Sequence, residues 1–92
     1  MGLDEIKKLF DYDIKNFENV DEFLDFGFDE IEKHIPELRE LKEKKDSHLL
    51  DKIADVYIWS KMLMISKDIN EEIVLKRINR FKEKIEQNQD KK

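Results

Sequence analysis

The stretch DKIADVYIWSKMLM, residues 51–64, decides the fold. With Leu49 just before it, Ile53, Val56, Tyr57, Leu63 and Met64 cover one broad helical face. Ala54, Ile58, Trp59, Met62 and then Ile65 cover much of the remainder. A helix apolar on most sides is central to a domain or shared with another subunit. Four helices in 92 residues leave part of such a surface unburied, which predicts a homodimer through Tyr57, Ile58, Trp59 and Met62.

Working outward, Asp46 or Ser47 caps this helix, giving it the span 47–66. Upstream, Leu3, Ile6, Phe10, Ile14 and Phe17 recur at steps of three and four and mark a first helix over 3–17. NFENVDEF, residues 16–23, carries the break, with Asp21 as the next cap and Val20 packing back on its first turn. The second helix spans 21–44 on a stripe of Leu24, Phe28, Ile31, Ile35 and Leu38. Pro36 removes one hydrogen bond and crowds the preceding turn, at about 3 kcal/mol, so a kink or a stop near His34 is expected.

Downstream, SKDIN leads into a fourth helix over 69–86. Asp68 with Glu71 fits a capping box, and Ile69 packing on Val74 across Asn70 fits a hydrophobic staple. Ile73, Val74, Ile78, Phe81 and Ile85 make its stripe. Residues 87–92 carry no apolar anchor and form a charged tail expected to fray. The reading is an all-α, four-helix bundle-like fold with a single domain over 1–86.

Composition agrees. Charged residues make 45% of the chain and hydrophobic ones 39%, while two glycines and one proline leave little turn chemistry for a sheet. The absence of cysteine excludes disulfides and thiolate metal sites and suits a cytoplasmic location. MGLDEIKKLF holds two acids and no apolar run, unlike a signal peptide, and Ile6 stands where myristoylation prefers Ser or Thr. The longest apolar run is broken by Lys61, so no membrane span is expected.

The net charge of −5 is uneven: between Asp11 and Glu32, nine acids face only Lys15. That field repels a phosphate backbone, arguing against nucleic-acid binding, and attracts divalent cations or a basic partner. Lys76, Arg77, Arg80, Lys82 and Lys84 make the last helix a positive strip, suited to docking on the acidic ridge of the first two helices or to binding phosphates.

Asp55 is the sharpest chemical signal. A carboxylate among apolar neighbours is paired, metal-bound or protonated, because an unpaired buried charge is costly. Asp51 lies one turn earlier, and Asp25, Asp29 and Glu32 share a ridge on the second helix. If the second and third helices pack antiparallel, Asp29 and Glu32 meet Asp51 and Asp55 in an oxygen cluster suited to Mg²⁺ or Mn²⁺. The plainer alternative pairs these acids with Lys52, Lys61 or a base of the last helix. His34 and His48 lack partners at metal spacing, and Gly27 relieves crowding where helices cross. Trp59 suits an interface or a stacked base.

DKIADVYIW followed by DINEEIVLKRINRF resembles the third and fourth helices of the MazG-like, all-α nucleoside triphosphate pyrophosphohydrolases over residues 49–81. The resemblance implies a compact, dimeric or tetrameric helical fold that cleaves nucleoside triphosphates with Mg²⁺, using Glu-Glu-x-x-Glu on one helix and Glu-x-x-Asp on the next. Asp55 matches the final Asp, while Lys52 stands in the place of the Glu before it. In FDEIE, Asp29 and Glu32 match the second and third glutamates and Phe28 replaces the first. Lys76 and Arg80 resemble the family's phosphate-reaching residues. A lysine brings positive charge to a metal's place and a phenylalanine brings no ligand. Two readings follow: a nucleotide-binding domain with a degenerate Mg²⁺ site of weak or absent hydrolytic activity, or a non-catalytic homodimeric interaction module.

Overall fold

The structure, a computed structural model, describes residues 3–90. It is all-helical: α1 (Leu3–Asp13), a 3₁₀ turn (Ile14–Asn16), α2 (Val20–Glu43), α3 (Leu49–Ser66) and α4 (Glu71–Asp90), with no strand among the described residues. α1 stops short of the expected residue 17, because its last turn tightens to 3₁₀ and Phe17 turns extended at φ −123°. The cap of α2 is Asn19, not Asp21. Its extended backbone lets the side chain accept the Glu22 N–H at 2.9 Å, while the Glu22 carboxylate accepts the Glu18 N–H at 2.8 Å.

α2 runs through Pro36 without a break, so the expected stop at His34 is absent. Pro36 is exposed, as is Glu32, whose carbonyl loses its helical donor to the proline. Two ties to α3 flank the proline: His34 Nε2 stands 3.5 Å from Asp55 Oδ2, and Lys52 Nζ 3.4 Å from Glu37 Oε2.

Both later turns end a helix on a left-handed residue. At Lys45 (φ 54°) the Asp46 N–H reaches the Leu41 carbonyl and the Lys45 N–H that of Lys42. At Asp68 (φ 54°) the Ile69 N–H reaches the Met64 carbonyl and the Asp68 N–H that of Ile65. These are Schellman closures. Asp68 therefore ends α3 and does not cap α4; Asn70 does, accepting the Ile73 N–H at 3.1 Å.

α3 packs along α2 on one side and along α1 on another, while α4 lies along none of them. Gly27 meets Leu63, His34 meets Asp55 and Glu37 meets Lys52, so α2 and α3 run antiparallel. A Cβ on Gly27 would stand 2.5 Å from Leu63 Cδ2, so α3 packs here where any side chain on α2 would make Leu63 shift. Ile6, Phe23 and Met62 form the buried core, with Phe10, Ile14, Phe17, Ile58 and Trp59 packed around it. The segment expected to fray is helical as far as Asp90, while Lys91 and Lys92 lie outside the described residues.

The buried line of α2 is rotated from the expected stripe. Phe23, Gly27, Glu30 and His34 face inward, whereas Phe28 is 50% exposed and Ile35 is also open. At about 100° per residue, Asp25, Asp29 and Glu32 then fall on the opposite side of the helix.

Candidate functional site

Asp55 opens onto a cleft of about 440 Å³ between α1, α2 and α3, with Tyr12, Asp13, His34 and Trp59 on its walls. α1 supplies Tyr12 and Asp13, α2 supplies His34 from its inward line, and α3 supplies Asp55 and Trp59 one turn apart. His34 is the better buried partner: its side chain is 13% exposed, against 46% for Asp55. Its Nδ1 stands 2.6 Å from the Glu30 carbonyl oxygen, which can only accept, so this nitrogen carries a proton. Nε2 then faces the Asp55 carboxylate, 3.5 Å from Oδ2. The carboxylate in apolar surroundings thus has its partner, and the partner comes from α2 instead of a lysine or α4.

Trp59 is held by the same packing. Its ring lies 6.0 Å from Phe23 and 5.6 Å from Phe26, so part of its surface is committed to the aromatic core.

The other expected site residues are not gathered around Asp55. Asp29 and Glu32 are exposed on the outer side of α2, and Asp51 is exposed on α3. Lys52 is paired with Glu37. Lys76 and Arg80 stand on α4, which contributes nothing to the cleft. Among the described residues no three acidic, histidine or cysteine side chains are grouped as an ion would need. The polar side chains on the cleft walls are the carboxylates of Asp13 and Asp55, the Tyr12 hydroxyl, the His34 ring and the Trp59 indole.

The expected interface also divides. Met62 is 3% exposed, and Ile58 and Trp59 are half-buried against the core, so these three serve the chain itself. Tyr57 is 56% exposed, with Lys61 Nζ 5.5 Å from its ring centre. α3 is apolar nearly all round because α1 takes one side and α2 a second; a third side, with Ile53 and Tyr57, stays open. Sequence reasoning missed Glu30 and His34. The available signal was Gly27: a glycine marking close helix contact, counted on by seven, lands on His34.

No protein-family model, curated protein or solved structure matches the chain. Among the described residues no helix is long and apolar enough to cross a membrane.

Proposed function

We propose that this chain is a non-catalytic helical interaction module that works by homodimerisation. The observation that carries the reading is the side of the α2–α3 pair turned away from α1. There Phe28, Ile35, Ile53 and Tyr57 stand exposed, beside half-buried Leu24, Ile31 and Val56. A contiguous apolar surface of this kind is the mark of a protein–protein contact. Three buried hydrophobic side chains among the described residues, Phe23 alone of them fully buried, are few for a domain, and a second copy would supply the missing half of a core.

Light scattering across a concentration series tests the reading. The wild type is expected to have the mass of a dimer at micromolar concentration, and Ile53→Asp that of a monomer. A wild type that stays monomeric throughout overturns it.

A second reading is a MazG-like nucleotide-binding domain with a degenerate Mg²⁺ site and weak or absent hydrolysis. One observation favours it: the Asp55 cleft has the volume of a small-ligand pocket and carries Tyr12 and Trp59 on its walls. Any binder of the native state raises its unfolding midpoint. Nucleoside triphosphate with Mg²⁺ or Mn²⁺ is therefore expected to shift it, and a flat response at millimolar concentrations discards this reading.

A further inference from the structure

The helix that lies along no other and the apolar side left open on the α2–α3 pair belong to the same chain. Val74, Ile78, Phe81 and Ile85 recur at steps of three and four along one face of α4, and all but half-buried Val74 are exposed. That stripe covers twelve residues, Val74 to Ile85, about 16 Å at helical rise. The open apolar side of the α2–α3 pair, which would serve as the groove, runs from Leu24 to Leu38 along α2, about 21 Å on the same measure. A single helix fits lengthwise.

Charge fixes which helix. Arg77 and Lys84 flank the α4 stripe on one side, with Arg80 just beyond. The outer rim of the groove is Asp21, Asp25, Asp29 and Glu32, in a segment whose one base is Lys15. An amphipathic helix with a basic flank is the complement of that rim. The chain's own α4 is turned away from it. Only Lys67–Asn70 separate α3 from α4, and this link is fixed by the Schellman closure at Asp68 and the Asn70 cap.

We propose that the occupant is the α4 of a second copy: each chain lays its last helix into the α2–α3 groove of the other, basic flank against acidic rim. This rests on the interaction-module reading and names its partner and its contacts. The exchange is reciprocal, so both grooves fill at once and both α4 helices gain a neighbour.

A charge-swap experiment on the full chain tests it. One variant carries Arg77→Glu with Lys84→Glu, the other Asp25→Lys with Glu32→Lys; all four positions are exposed. Each alone is expected to self-associate about tenfold or more weakly, because like charges then meet across the groove. Mixed in equal amounts, the two are expected to recover wild-type affinity as a heterodimer, since the acidic α4 meets the basic rim and the unchanged α4 meets the unchanged rim. Docking of α4 within its own chain gives no such recovery.

Phe81→Asp is the second arm. Phe81 is exposed in the single chain, so folding does not depend on it, and the dimer is expected to be lost. A dimer that survives Phe81→Asp, or a mixture that fails to recover, overturns the exchange while leaving a module that dimerises otherwise. A monomeric wild type removes both.

Discussion

Phe23 is the residue on which the three-helix body closes. It is fully buried, with Phe10 and Phe17 edge-on at 5.2 and 5.4 Å and Trp59 at 6.0 Å, so it joins α1 and α3 to α2. Phe23→Ala removes a ring that no neighbour can replace and is expected to cost about 3–5 kcal/mol, read from the denaturant midpoint at constant slope. A loss under 1 kcal/mol would mean that the aromatic cluster is not the core. The sequence shows that α2 is amphipathic but hides which line is buried. The inward line holds a glycine, a glutamate and a histidine, whereas Leu24, Phe28, Ile31, Ile35 and Leu38 make the more apolar stripe. That stripe is half-buried at Leu24, Ile31 and Leu38 and open at Phe28 and Ile35, and periodicity cannot tell a core from an interface. The same rotation carries Asp29 and Glu32 away from Asp55. Asp55 itself was legible as a carboxylate needing a partner; that the partner is His34 depends on the helix phase.

At the scale of elements, the number and type of helices were legible because the apolar spacing is long and regular. Their ends were not, since adjacent polar residues compete for each cap: Asn19 wins over Asp21, and Asn70 over Asp68, by backbone geometry alone. The α2–α3 turn has a measurable signature. Asp46 accepts the His48 N–H and its ring Nδ1, both at 2.8 Å. The backbone hydrogen bond, then the ring, hold the Asp46 carboxyl below its ordinary 3.8, and the hydrogen bond to Asp46 lifts His48 above its ordinary 6.5. The histidine's contribution to stability is complete below 6.5 and is lost as pH rises through the lifted value. The aspartate's is complete above 3.8 and is lost as pH falls through the lowered value. The turn is firmest between 3.8 and 6.5. An NMR titration is expected to place His48 above 6.5 in the wild type and nearer to it in Asp46→Asn. Equal midpoints in the two proteins would dissolve the pair.

For the whole molecule the decisive quantity is its spread. The radius of gyration is 16.0 Å, where a compact chain of this length has about 12 Å. The difference is α4 standing off a three-helix body, and a count of helices gives no warning of it. The sequence carries the stripe and the charge of α4 but not the direction in which a four-residue link sends it. Most of a helix's stability in a protein comes from packing its apolar face, and the 20 residues of α4 lie along no neighbouring helix. In a single chain, amides of α4 are therefore expected to exchange with solvent far sooner than those of α3, which packs on two neighbours. Association couples the two: a helix buried in a partner's groove opens only after the dimer separates, so its protection must grow with protein concentration. Hydrogen exchange at concentrations spanning two decades separates the cases. Protection at Ile78 and Phe81 that climbs with concentration, while that of Phe23 stays level or rises less, is the expected outcome. Protection of α4 that is independent of concentration would mean that the helix is stable without a partner, and would take away the reason for seeking one.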